Sequence, residues 1–365
     1  MHTAAYTVDD FPRSPLMFYY EVTQACDLVC KHCRASAKEQ ADPGELSTEQ
    51  SKLLLSQAAT FPRRPNVVLT GGDPLKRRDL FDLIRHAVAE GLHVALTPSA
   101  TPLATREAFV QAREAGVQAL GISLDGADAA THDAFRGWEG SFARTLEMLD
   151  DARSLSIPVQ VNTTITRRNF HQIDAIATML ARRGIAMWAV FFLVPVGRGV
   201  EETRIEPAEY EIAFEKLWRH SQRQPYAIKT TEAPHYRRYV IQQGGDPLAA
   251  RAACGAKPVR RAPLGVGDGK GIMFVSHTGE IYPAGFLPLL CGRFPTDSVV
   301  DAYCNHPTFR MLRDPDQFKG ICGVCEYRQV CGGSRARAYA VSGDPLGAEP
   351  DCVYRPSASA NSPAS

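Results

Sequence analysis

Cys26, Cys30 and Cys33 lie in the stretch Val22-Thr-Gln-Ala-Cys26-Asp-Leu-Val-Cys30-Lys-His-Cys33-Arg34, so three thiols fall within eight residues directly after an apolar run. Thiolates are the protein ligands of iron-sulfur clusters, and a cubane holds four irons, so three cysteines leave one iron open to a ligand from elsewhere. An open metal position marks a reactive site, whereas a structural site is closed by protein ligands. The structural alternatives are a disulfide loop and a zinc knuckle. His32 would supply the fourth zinc ligand, but its place beside Cys33 strains tetrahedral closure.

A second constellation, Cys322-Gly-Val-Cys325-Glu-Tyr-Arg-Gln-Val-Cys331, is followed by Cys352. Four thiolates can close a site, and their spacing does not separate a cluster from zinc. The remaining Cys254, Cys291 and Cys304 read as small buried hydrophobes.

The elements that must position these groups follow from periodicity. Apolar runs at residues 16–23, 66–70, 92–97, 117–124, 157–165 and 186–194 read as strands. Amphipathic stretches between them, such as 47–61, 80–90 and 141–150, read as helices, which is the pattern of repeated βα units on a parallel sheet. In such folds chemistry gathers at the carboxyl ends of strands, and the cysteine triplet sits at the end of the first. Beyond residue 200 the texture changes: helices at 206–222 and 236–243 flank a short strand at 227–232, and 271–283 reads as a hairpin turning at Thr278-Gly279.

Bulk properties narrow the function. The chain of 365 residues carries a net charge of +1, so nucleic acid and anionic membrane are not its main partners. The first residues are polar and acidic, without a signal peptide, so ten cysteines point to a reducing cytoplasm and metal ligation. The longest apolar run, 185–196, is about half of a bilayer span and reads as a core strand. The Ser/Ala/Pro-rich tail, 355–365, has too little apolar surface to order itself.

The triplet spacing Cys-x3-Cys-x2-Cys, in its strand-end setting, resembles the signature of the radical S-adenosylmethionine (SAM) enzymes. The resemblance implies an open six-unit (βα)6 barrel, a [4Fe-4S] cluster on Cys26, Cys30 and Cys33, and reductive cleavage of SAM to a 5'-deoxyadenosyl radical that abstracts hydrogen from substrate. An electron donor such as flavodoxin or ferredoxin is implied with it. Gly71-Gly72-Asp73-Pro74, after the second strand, is similar to the family's Gly-Gly-Glu-Pro element, which contacts the SAM amine; the aspartate has a shorter reach. Thr97 and Ser99 end the third strand, while Ser123 and Asp125 end the fourth and are followed by Arg136-Gly137. By resemblance Thr97, Ser123 and Asp125 meet ribose or methionine groups, and Arg136 the SAM carboxylate. Asn162 on the fifth strand is a further candidate. A structural ion pair between Asp125 and Arg136 is the alternative.

The C-terminal cysteines resemble the SPASM domain, which normally binds two auxiliary clusters. Two positions depart from its pattern: Arg335 and Ala284 stand where the family has cysteines, both assigned to the inner cluster. Cys254 remains as the one evident ligand there, so the resemblance implies one auxiliary [4Fe-4S] cluster, on Cys322, Cys325, Cys331 and Cys352. The domain order expected is an extension at 1–15, the barrel at 16–200, a helical linker at 201–253, the SPASM-like domain at 254–354 and the tail.

Cys30-Lys-His-Cys33-Arg-Ala and Cys331-Gly-Gly-Ser-Arg-Ala-Arg-Ala-Tyr339 look most like the radical SAM enzymes of alternative heme and heme d1 biosynthesis. That implies a porphyrin-like substrate modified at its propionates, with Arg335, Arg337, Arg260 or Arg261 as carboxylate partners. The alternatives are maturation of a ribosomally made peptide and, outside catalysis, an iron-sulfur electron carrier or scaffold.

Overall fold

In a computed structural model of the protein, residues 6–248 and 265–357 are described. Cys254, Arg260, Arg261 and residues 358–365 of the tail lie outside them. The six expected strands form: β1 (Met17–Glu21), β2 (Asn66–Thr70), β3 (His93–Leu96), β4 (Ala119–Ser123), β5 (Val159–Ile165) and β6 (Met187–Phe192). They pair in parallel and in sequence order, as an open partial barrel.

The helices that return the chain are α1 (Thr48–Ala58), α2 (Leu80–Ala89), α3 (Arg106–Ala115), α4 (Ala129–Arg136), α5 (Ser141–Ser154) and α6 (Ile173–Leu180). Their boundaries have local causes. Ser47 accepts from Gln50 N to open α1, and Asp128 accepts from Thr131 N to open α4, satisfying amides that have no intrahelical partner. Alternation along the strands sorts the side chains. Phe18, Tyr20, Ile122, Val161, Trp188 and Phe192 enter the core beneath the helices. The intervening Tyr19, Ser123, Asn162 and Phe191 line the concave side.

The structure extends the sheet beyond the six expected strands. After α7 (Pro207–Ser221), β7 (Ala227–Thr231) joins β6 in parallel and is followed by α8 (His235–Gln242). On the opposite edge β8 (Ile272–Val275) pairs in parallel with β1 and turns at Gly279, φ +85°, into antiparallel β9 (Ile281–Tyr282). Thus part of the expected linker and part of the expected C-terminal domain complete the sheet. The physical reason is that β1 and β6 would otherwise present open, apolar edges.

The C-terminal region carries α9 (Val299–Asn305), α10 (Pro307–Leu312), α11 (Gly320–Gly323) and α12 (Arg335–Ser342). Val194, Ala284, Leu287, Leu312 and Ala336 form its own apolar cluster against the end of β6. Arg337 of α12, wholly buried, fixes the junction: its guanidinium donates to Glu349 Oε1 at 2.8 Å and Leu193 O at 3.3 Å, and lies 3.1 Å from Asp351. Tyr210 of α7 donates to the same Asp351 at 2.7 Å. Among the described residues no helix is long and apolar enough to cross a membrane.

Candidate active site and auxiliary metal centre

The cysteine loop leaves the end of β1 and closes on itself. Cys26 N donates to Lys38 O at 2.7 Å, and Gln24 Nε2 to Ala35 O at 2.8 Å. Glu45, which the sequence did not single out, accepts from Thr23 Oγ1 at 2.7 Å and Gln24 N at 2.9 Å. Arg34 anchors the far end through Glu21 at 2.7 Å and packs over Phe274. Cys26 and Cys30 are buried with Leu28, and Cys33 packs against them. Burial pushes the Cys26 thiol up to about 11 and raises that of Cys30.

Three glycines, two following strands β2 and β6 and one capping α4, let neighbouring backbone press on this loop. A Cβ on Gly72 would lie 2.4 Å from Ala25 O, one on Gly137 2.6 Å from Val29 O, and one on Gly197 2.3 Å from Arg34 O. The sequence treats Gly71 and Gly72 as room for a ligand; here their Cβ directions are filled by the backbone of residues 23–25. Gly72 N and Asp73 N donate to Thr23 O and Ala25 O at 2.8 and 2.6 Å. Gly72→Ala should therefore displace the loop and reduce iron at this site by about four per chain, with the helix content by circular dichroism retained. Unchanged iron would show that the approach is not required.

Arg198, after β6, was also missed. Its Nε donates to Cys30 O at 2.9 Å, a second nitrogen to Ala37 O at 2.9 Å, and its backbone amide to Cys33 O at 3.0 Å. The recoverable signal was Gly197-Arg198-Gly199 at a strand's carboxyl end.

The expected SAM contacts divide. Thr97 and Ser123 are half-buried at the strand ends, and Ser99 Oγ donates to Gly72 O at 3.0 Å. Asp73 is wholly buried, accepting from Leu75 N, Ser99 N and Thr101 Oγ1 at 3.1, 3.3 and 2.7 Å. Its carboxylate is thus turned into its own loop, and Pro74 beside it is buried. Asp125 is likewise wholly buried: it accepts from Thr164 N at 2.6 Å and forms the ion pair with Arg136. Burial raises this carboxyl, but Arg136 and then His32 outweigh it and hold it low. The pair orients Arg136, whose Nη1 reaches Cys30 Sγ at 3.8 Å and whose buried Nε has no partner. Asn162 Oδ1 accepts from Gln160 at 2.8 Å on the concave face.

No three His, Cys, Asp or Glu side chains among the described residues stand close enough to hold a metal ion. The fit to a cluster is therefore read from what surrounds the sulfurs. Leu28 N points at Cys26 Sγ at 3.3 Å and Ala37 N at Cys33 Sγ at 3.4 Å, so amides are already aimed at sulfur. Buried atoms of Arg136, Arg198 and His32 nearby lack partners. His32 itself turns toward Asp125, 3.9 Å away, and packs on Phe135; burial drives its pKa down to about 4. The residues present fit a cluster held by three thiolates.

Cys322, Cys325, Cys331 and Cys352 line one cavity, with His235 and Arg238 of α8 in its wall. Glu349 N points at Cys322 Sγ at 3.3 Å and Gly333 N at Cys331 Sγ at 3.4 Å. Both ring nitrogens of His235, which is 1% exposed, lack partners, as expected beside a group that accepts hydrogen bonds. Four thiols around one cavity, with amides aimed at two of the sulfurs, are a donor set of the kind that holds a metal group. Ala284 lies in the apolar cluster. Arg335, at the other departing position, stacks on Phe318, donates to Gly347 O at 2.7 Å and reaches Cys322 Sγ at 3.8 Å.

Arg335 and Arg337 are corrections. Both are buried and engaged, with carbonyls and with Glu349 and Asp351, so neither is free to meet a substrate carboxylate. The reason is the turn at Gly332-Gly333, which drives the start of α12 inward. Cys291 is buried, and Cys304 half-buried, without a metal partner among the described residues.

Residues 20–180 match the radical SAM superfamily. The chain is 39% identical over 346 residues to the AdoMet-dependent heme synthase of Methanosarcina barkeri, covering 94% of this chain and 97% of that protein. It is 38% identical over 356 residues to the protein of the same name from Nitratidesulfovibrio vulgaris, covering 96% and 95%. Streptococcus suis SuiB shares the fold, with a TM-score of 0.70 at 15% identity over 94% of this chain and 78% of that one. A three-cysteine loop at a strand end, in a partial barrel with relatives of this kind along nearly its whole length, makes this chain a radical SAM enzyme.

Proposed function

We propose that the enzyme is a SAM-dependent heme synthase, modifying propionate side chains of a porphyrin-like substrate. The observation that supports this most is the similarity to proteins of that name over nearly the full length of both chains. When bound, the [4Fe-4S] cluster and SAM supply a 5'-deoxyadenosyl radical able to take hydrogen from an unactivated carbon. Cys26, Cys30 and Cys33 would hold the cluster, and Arg198 and Glu45 keep their loop in one conformation. Arg136, oriented by Asp125, would meet the SAM carboxylate, and Thr97, Ser123, Gly71 and Gly72 would meet the rest of SAM. Asp73 and Asp125 act through their loops, as positioning residues. The concave face excludes water around the reacting carbon.

Cys322, Cys325, Cys331 and Cys352 would hold an auxiliary [4Fe-4S] cluster, which would supply an electron acceptor near the substrate. A flavodoxin- or ferredoxin-like donor supplies the reductant. The described cysteines are all free thiols, in keeping with a reducing cytoplasm.

The test is anaerobic incubation of reconstituted protein with SAM, reductant and a tetrapropionate porphyrin. The expected result is 5'-deoxyadenosine formed together with altered porphyrin side chains. Alteration of a precursor peptide, of the kind SuiB has been solved with, and none of the porphyrin, would replace this reading with peptide maturation. No 5'-deoxyadenosine at all would leave an electron carrier.

A further inference from the structure

With Arg335 and Arg337 engaged elsewhere, the concave face must supply another cation for a substrate carboxylate. Lys229 stands in the middle of β7. On one side Ile228 enters the core beneath the helices; on the other Thr230 Oγ1 donates to Ala233 O at 2.9 Å. Strand alternation therefore turns Lys229 to the concave side. Its register is informative: Ser123 pairs with Asn162, Asn162 with Ala189, and Ala189 with Lys229. The lysine thus lies on one cross-strand row with two residues of the expected SAM site, at its far end. Ala189 between them carries only a methyl group and is itself buried. One residue pair further along β6, Phe191 points the same way and faces Phe286 with ring centroids 6.3 Å apart, an apolar wall suited to a flat macrocycle.

Lys229 is half-buried, and no carboxylate among the described residues offsets its charge. Burial alone presses its amine down to about 8, so it remains largely charged at neutral pH. A cation enclosed without a counter-ion is unfavourable until a ligand brings one.

We propose that Lys229 is the substrate-binding cation of the barrel, pairing with a carboxylate borne by an aromatic macrocycle. This rests on the heme-synthase reading and deepens it, since it names the atom that distinguishes an acid substrate from its ester. The lysine is a specificity-determining residue and takes no part in bond cleavage.

The test is equilibrium binding to the reconstituted full chain, followed by porphyrin absorbance, with a tetrapropionate porphyrin and its tetramethyl ester as probes. The wild type should prefer the acid. Lys229→Met should weaken the acid by roughly ten- to a hundredfold, the range of a charge-assisted hydrogen bond, and leave the ester as it was. Lys229→Arg should retain most of the preference, which guards against a folding defect in the methionine variant. Equal binding of the acid by wild type and Lys229→Met overturns the proposal while the heme-synthase reading stands. A wild type that binds neither porphyrin overturns both.

Discussion

Cys30→Ala is expected to bring 5'-deoxyadenosine formation down to the level without protein. Cys30 is held by Arg198 through its carbonyl and faced by Arg136 through its sulfur, so its side chain is fixed in place and the proposed cluster would lose a ligand that no spare neighbour replaces. Iron should fall from about eight to about four per chain, because the auxiliary cluster proposed for the second set of cysteines would be untouched by this change. The measurement is iron content and product formation on the same anaerobic preparation. Half the iron with full SAM cleavage would mean that the reactive cluster is the C-terminal one. Product loss with full iron would mean that Cys30 acts otherwise than as a ligand. The change removes a small buried side chain, so a general loss of fold is not expected.

The second large effect concerns stability. Arg337→Met leaves Glu349 and Asp351, both nearly inaccessible, without the guanidinium that neutralises them. Breaking a buried pair from one side typically destabilises by about 3–5 kcal/mol, because the surviving charge stays buried. This arginine also joins α12 to Leu193 O beyond β6 and to Glu232 O beyond β7, so the loss should appear where the barrel meets the C-terminal region. Denaturant unfolding of the variant should show a lower midpoint. Protease should cut first near that junction. A midpoint equal to that of the wild type would show that the network contributes little.

Much of this was legible beforehand. Strands β1 to β6 announce themselves as apolar runs because each is covered on one face by helices, and the cysteines and paired glycines fall at strand ends, where a parallel barrel gathers its chemistry. What the sequence hid has specific causes. β7, with the polar run Lys229-Thr-Thr231, looks like a minor strand in a linker; its pairing with β6 depends on an edge left open at Met187–Phe192, far in sequence from any pattern local to β7. Asp73 and Asp125 have the right type and place for ligand contacts, but side-chain direction at a strand end is decided by the loop it packs in. Arg198 acts on carbonyls of residues 30 and 37, distant in sequence, and only the flanking Gly197 and Gly199 at a strand's carboxyl end single it out. Arg335 and Arg337 read as partners for a substrate carboxylate until the carbonyls of residues 345 and 347 are seen against the first, and Glu349 and Asp351 against the second.

The open iron is the claim on which the mechanism depends, and electron paramagnetic resonance of the reduced protein with and without SAM tests it most directly. SAM should shift the signal of one cluster and leave the other unmoved, and the shift should vanish in Cys30→Ala. A reduced spectrum that SAM leaves wholly unchanged would contradict the assignment of a site-differentiated cluster to Cys26, Cys30 and Cys33.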